Sequence, residues 1–494
     1  MKYISTRGND QNYDAAEAII AGLADDGGLF VPTDMPKVDS QFVESLVNVS
    51  YQERAKKVLS LFLTDFSAEE ISGCVERAYG NNKFDSEAVA PLTIFDDLSV
   101  LELWHGPTSA FKDMALQLLP QLMSTSLKKT GEKDQVLILV ATSGDTGKAA
   151  LEGFKDVPQI KIEVFYPDGG VSKIQRLQMI TQAGGNVSVM AVKGNFDDAQ
   201  TGVKKIFSDK EFNAKLNEAG VKLSSANSIN WGRLVPQIVY YFSAYADMVK
   251  AGKIKNGDEI NFTVPTGNFG NILAGFYAKL MGLPVGRLIC ASNKNNVLTD
   301  FLRSGYYDRN RDFFKTITPS MDILISSNLE RLLYHLTNDT DKVSEWMEQL
   351  KADGRYDVGE GMLLRINNLF WADWADDEKT AKTIEAVYKE KKYIPDPHTA
   401  VAWAVAKEYQ RKTSDKRPMV VVSTASPYKF NDSVLQALSI DLGDGEPFTL
   451  LDKLEAVNAV KAPQGLAGLR TAAVRHEGVC AKEDMPQAVL DFVK

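Results

Sequence analysis

Along the middle of the chain one pattern recurs: a short apolar run, a turn rich in Gly, Asn, Asp or Ser, then apolar positions at helical spacing. QVLILVATSGDTGKAALEGF is the clearest instance and predicts a strand from Gln135 to Ala141 and a helix opening near Gly147. KIEVFYPDGGVSKIQRLQMI, NVSVMAVKGNFDDAQTGVKKIF, EINFTVPTGNFGNILAGFYAKL and RLICASNKNN repeat it, and MVVVSTASPYKF closes the series. Strands apolar on both faces, alternating with helices, build a mostly parallel sheet inside an α/β layer structure.

The flanks break the pattern. Residues 1–95 mix helical and loop segments around the turn signal DGGLFVP, which predicts a small N-terminal domain. Residues 96–294 carry the first part of the α/β core. From 295 to 395 the chain turns charged and helical (DKVSEWMEQLKADGRYD, DWADDEKTAKTIEAVYKEKK), an accessory region. Residues 396–430 return to the core with a strand at Met419, and 431–494 read as a peripheral helical tail.

At 494 residues, 44% of them hydrophobic, the chain is long enough for about three structural units at ~150 residues each, so its core needs no disulfides. Cys74, Cys290 and Cys480 lie far apart with no C-x-x-C pair, which suits a reducing cytoplasm. The balance of 65 acidic to 56 basic residues, a formal charge of −9, argues against broad nucleic-acid or anionic-membrane binding. MKYISTRGND offers no apolar run for a signal peptide, and no stretch approaches the roughly 20 apolar residues of a membrane span. The expectation is a soluble cytoplasmic protein.

Ligands of open parallel sheets bind at the carboxyl ends of strands. Three turns fall there. TGNFGN, Thr266 to Asn271, has glycines that let amides approach an anion, and a helix opening near Ile272 adds partial positive charge. That is a phosphate cradle without a Walker lysine; the plain alternative is a glycine-rich turn. ATSGDTG, Ala141 to Gly147, offers Thr142, Ser143, Asp145 and Thr146 to a carboxylate, although the same residue types also cap helices with no ligand present. In VVSTASPYKF, Thr424 would present a hydroxyl at a strand end, or merely precede the turn at Pro427. Lys112 lies in an apolar stretch, Trp104 to Leu119, where burial depresses an amine's pKa and makes it nucleophilic. Most lysines are solvated instead. Pro120 is expected to kink or end the helix that Asp113 begins.

HGPTSAFKD, His105 to Asp113, closely resembles the cofactor-lysine motif of the threonine synthase family, pyridoxal-phosphate enzymes of the tryptophan-synthase-β-like fold (fold type II). SGDTG, GNFGN and STASPYKF follow in the family's order, and NSINWGRLVPQIVYYF, MDILISSNLERLLY, PHTAVA, MKYISTRG and DGGLFVP extend the resemblance over nearly the whole chain. The accessory region is similar to that of the longer fungal and bacterial form.

The resemblance implies a lyase that turns O-phospho-L-homoserine and water into L-threonine and phosphate, the last step of threonine biosynthesis. It implies that Lys112 holds pyridoxal 5′-phosphate covalently, that Gly267, Asn268, Phe269, Gly270 and Asn271 hold its phosphate, and that Thr424 faces its ring nitrogen. Thr142, Ser143, Asp145 and Thr146 would bind the substrate carboxylate. For the substrate phosphate Arg233 is the first candidate, since a guanidinium grips phosphate through two parallel hydrogen bonds, and Lys173 the second. Ser172 or Asn230 would assist; a solvated helix face explains Lys173 and Arg176 equally well. The family pattern reads T-A-H-P where this chain has Thr424, Ala425, Ser426 and Pro427, so an imidazole is replaced. His105 reads as structural. His335, His398 and His476 are scattered without ligand spacing, and no metal is expected.

The same lysine and phosphate turn would serve a serine/threonine dehydratase, a β-replacing synthase or a threonine-synthase-like phospholyase; a non-catalytic binding protein is the alternative outside enzymes. A dinucleotide-binding dehydrogenase is disfavoured by the lack of GxGxxG. The long form implies a monomer.

Overall fold

The computed structural model describes residues 1–8, 11–80, 82–142, 144–169, 171–458 and 460–494. Two sheets organise it. Their strands are β1 (Leu92–Ile94), β2 (Ser99–Glu102), β3 (Gln135–Ala141), β4 (Ile160–Pro167), β5 (Val187–Lys193), β6 (Val221–Ser224), β7 (Ile260–Pro265), β8 (Val285–Ser292), β9 (Phe370–Trp374), β10 (Met419–Ser423) and β11 (Gly478–Ala481). The six-stranded sheet runs β9-β8-β7-β10-β2-β1 and the five-stranded sheet β11-β5-β4-β3-β6. Every pairing in them is parallel except β1 with β2. β7 and β10 are buried at every position, as parallel strands covered on both faces require.

Six helices shape the region where the two sheets meet: α1 (Lys112–Leu116), α2 (Asp145–Phe154), α3 (Lys173–Ile180), α4 (Trp231–Lys250), α5 (Gly270–Met281) and α6 (Pro397–Thr413). α4 is apolar around nearly its whole circumference and buried for most of its length, the mark of a helix inside a core. Trp231 at its start takes Tyr3 and Phe62 at ring distances of 5.1 and 5.7 Å. The N-terminal segment therefore shares one hydrophobic core with the sheets.

Several local expectations shift. α2 opens at Asp145, not near Gly147, because Thr142 Oγ1 accepts the amide hydrogens of Gly144 (3.0 Å) and Gly147 (2.9 Å) and winds the turn early. α5 opens at Gly270, two residues before Ile272. Pro120 does not end a helix. α1 stops at Leu116, and Pro120 stands in the first turn of a second helix, Leu119–Thr130, where a missing N–H leaves no bond unmade. The accessory stretch and the tail also contribute edge strands, β9 beside β8 and β11 beside β5. The three cysteines are unpaired. Among the described residues no helix is long and apolar enough to cross a membrane, and no cluster has the make-up of a metal site.

Candidate active site

Four chain segments converge where parallel strands end. The loop leaving β2 leads to Lys112, the turn after β7 to Gly270, the turn after β3 to Asp145, and the segment after β10 to Thr424. The loop before Lys112 is fastened to the last of these: the Phe111 amide donates to the Thr424 carbonyl at 2.8 Å, and Ala110 bridges Ala425. Asp113 braces the loop from within, accepting the Thr108 amide (2.8 Å) and hydroxyl (2.7 Å). Burial lifts Asp113 to about 6 even though those hydrogen bonds favour its ionised form.

Lys112 is buried. Its Nζ lies 3.4 Å from Ser320 Oγ and 3.7 Å from Asp145 Oδ2. Burial pulls its pKa below the ordinary lysine value; Asp145 opposes that, while the charges of Lys429 and Arg233 add to it. A depressed amine is the property that nucleophilic lysines need. On its other oxygen Asp145 accepts Lys429 Nζ at 2.7 Å and Gln175 Nε2 at 3.0 Å. Burial alone would raise this carboxyl, but the two ammonium groups outweigh it and hold it well below the usual carboxylate range. Lys429 also donates to the Thr108 carbonyl at 2.9 Å, so one buried lysine ties the Lys112 loop to the start of α2.

The turn after β7 is built for an anion. Phe269 adopts a left-handed backbone (φ 65°) and buries its ring 5.7 Å from that of Phe370. Ser326 donates to the Gly267 carbonyl (2.8 Å) and the Asn328 amide to the Asn268 carbonyl (3.1 Å), which fixes the turn from outside. Within the described residues, no acceptor takes the amide hydrogens of Asn268, Phe269, Gly270 or Asn271. Asn271 receives the hydroxyls of Tyr240 (2.6 Å) and Tyr241 (2.9 Å) on Oδ1, whereas its buried Nδ2 has no partner. Gly267 admits no larger residue, since a Cβ there would stand 2.7 Å from the Ser320 carbonyl. Free amides at a helix N-terminus beside an unsatisfied amide group fit a phosphate, and a buried amine nearby fits an aldehyde. The residues present thus suit a phosphorylated aldehyde cofactor.

Arg233, on the first turn of α4, is buried with Nη1 on the Ala226 carbonyl (2.6 Å) and Nε unpartnered. Burial lowers its guanidinium to about 10.

Known proteins match this chain over most of its length. Residues 2–79 match the family model "Threonine synthase N terminus" and residues 399–488 "Threonine synthase, C-terminal". Threonine synthase of Schizosaccharomyces pombe is 39% identical over 470 residues, 89% of this chain and 90% of that one. The chain belongs to the threonine synthase family. A solved PLP-bound threonine synthase from Brucella melitensis superposes with a TM-score of 0.87 at 39% identity, covering 100% of this chain and 98% of that one. Human threonine synthase-like 1 is 43% identical over 437 residues, 86% of this chain; the chain spans only 58% of that protein's length.

In this member of the threonine synthase family the remaining candidates are distributed unevenly. Thr424 is buried beside the Lys112 loop, and its hydroxyl bonds to no other described residue. Thr146 is half-buried at the start of α2. Ser143 lies outside the described residues. Asn268 is exposed. Lys173 stands apart from the cluster, its side chain 66% exposed and paired with Glu446 at 3.3 Å. Ser426, where the family pattern has His, is buried and accepts the Tyr428 amide (3.4 Å), capping the 3₁₀ turn Pro427–Phe430 that delivers Lys429. His105 is gripped by Asp85 (2.5 Å) and Glu102 (2.9 Å), which overcome burial and lift it to about 9. Three residues that sequence reasoning passed over join the cluster: Lys429, Ser320 and His398. Lys429 had a local signal in its apolar neighbours Tyr428 and Phe430, and His398 one in the motif PHTAVA; Ser320 had none.

Proposed function

We propose that this chain is a pyridoxal-phosphate-dependent threonine synthase that converts O-phospho-L-homoserine and water to L-threonine and inorganic phosphate. The observation that carries the reading is the meeting, across Ser320, of a buried amine with a turn of free amides. When bound there, the cofactor supplies an aldehyde for amines and a ring that accepts electron density from neighbouring carbons.

The chain's own groups then divide the work. The Asn268–Asn271 amides and Asn271 Nδ2 would hold the cofactor phosphate, and the Thr424 hydroxyl would serve the ring nitrogen. Lys112 would hold the cofactor's aldehyde, and its amine would serve as the group that takes and returns protons at the substrate's Cα and Cβ. Asp145, ionised between two ammonium groups, orients Lys112 and keeps the amine within reach. The hydroxyl hydrogens of Thr142 and Thr146, with Ser143, donate to the substrate carboxylate. Arg233 would take the substrate phosphate on its unpartnered Nε; Lys173, exposed and paired with Glu446 at the start of α3, is the weaker second candidate.

The test is to give purified protein pyridoxal phosphate and O-phospho-L-homoserine and to measure threonine and phosphate. Equal amounts support the reading. Phosphate with a keto acid and no threonine indicates a phospholyase instead, a reading that Ser426 in place of the family's His favours. Arg233→Ala should raise KM about 100-fold, near 3 kcal/mol, with cofactor affinity changed far less; equal losses contradict the assignment of Arg233. The enzyme is further proposed to work as a cytoplasmic monomer, for which light scattering should give the mass of one chain.

A further inference from the structure

Behind the reactive amine lies a second polar chain that the proposed chemistry does not use. Asp396, fully buried, caps α6 by accepting the amides of His398 (3.0 Å) and Thr399 (3.1 Å). The same carboxylate accepts His398 Nδ1 at 2.7 Å, and Thr399 Oγ1 on its other oxygen. With its proton on Nδ1, the imidazole leaves Nε2 as an acceptor, and the Ser320 amide donates to it at 3.2 Å. The His398 ring meets that of Phe430 edge-on, 4.8 Å between centroids, in the turn that carries Lys429.

Ser320 thus has three neighbours in three directions. Its amide is on His398, its hydroxyl receives Lys112, and its carbonyl borders Gly267. We propose that the Asp396–His398 pair is a positioning device that holds Ser320 between the amine and the phosphate turn, and so sets their separation. A cofactor carrying its aldehyde and phosphate on one rigid ring needs that separation fixed. A buried imidazole oriented by a carboxylate is stiffer than a loop backbone left to itself. The inference rests on the reading that Lys112 and the Gly267 turn share one cofactor, and it concerns residues that touch neither substrate nor cofactor.

The test compares His398→Leu, His398→Gln, Ser320→Ala and the His398→Leu/Ser320→Ala double variant. Two quantities are measured: pyridoxal phosphate affinity by absorbance titration, and, in the cofactor-free chain, the pH midpoint for acetylation of Lys112 mapped by mass spectrometry. His398→Leu should weaken cofactor binding about tenfold or more, and His398→Gln, whose Oε1 can accept the Ser320 amide, should recover to within about threefold. Ser320→Ala should shift the Lys112 midpoint, and adding His398→Leu should shift it no further, because the histidine acts through Ser320. Unchanged affinity in His398→Leu, or additive midpoint shifts, overturns the proposal. If His398→Leu does not fold, His398→Asn, whose shorter side chain does not reach the Ser320 amide, replaces it alone and with Ser320→Ala, with the same expected losses and the same overturning results. Wild-type protein that takes up no pyridoxal phosphate overturns the functional reading instead; the acetylation series still decides the role of His398.

Discussion

The turns after β7 and β3 make an instructive pair. Each follows a buried parallel strand, each leads into a helix, and both present glycines and short polar residues at a helix N-terminus. Yet their amides are used differently. After β7, no described residue accepts the amides of Asn268 to Asn271. After β3, Thr142 Oγ1 takes the amides of Gly144 and Gly147, and Asp145 adds a carboxylate that two lysines share. A helix N-terminus attracts anions only while its donors are unsatisfied. The first turn therefore suits an anion on its amides, whereas at the second an anion would be met by side-chain hydroxyls and ammonium groups and not by the capped amides.

Replacing Asp145 with Asn tests the second half of that contrast and should have the largest effect. It leaves Lys429 buried without its counter-charge, which costs about 3–5 kcal/mol of stability in denaturant unfolding. The sign with pH follows. Asp145 is held below its unfolded value, so its contribution is present above about pH 4 and is lost as pH falls below that. The acid limb of the stability profile should flatten in the variant, and an unchanged limb contradicts the pairing.

Gly267→Ala probes the cradle. The added methyl would meet the Ser320 carbonyl at 2.7 Å, so the turn must shift, and pyridoxal phosphate affinity should fall about 100-fold, near 3 kcal/mol. Global stability should change much less than in the Asp145 variant. The smallest effect belongs to Thr142→Val, which deletes the internal cap: about 1 kcal/mol of stability, with cofactor affinity within about twofold. A large affinity loss there would mean that the two turns are not as distinct as their hydrogen bonds imply.

The sequence disclosed what local chemistry writes down. Strands β3 and β7 were legible from apolar runs, the open turn after β7 from its glycines, and the burial of Lys112 from its apolar setting. Features that depend on distant contacts were not. Lys429 reads as one more charge until the 3₁₀ turn after Ser426 points it at Asp145, more than 280 positions away. Ser320 and His398 are single residues 78 positions apart, joined only by tertiary packing. Pro120 was ambiguous because the same ring that stops one helix can begin another. The short edge strands β9 and β11 gain their pairing from the sheets beside them more than from their own residues.

The central claim is that Lys112 is the amine that holds the cofactor. Incubating the protein with pyridoxal phosphate, reducing with borohydride and mapping the labelled peptide tests it most directly. The account predicts a stable pyridoxyl label on Lys112 alone, absent in Lys112→Ala. A label on Lys429 or on any other lysine, or no label, contradicts it.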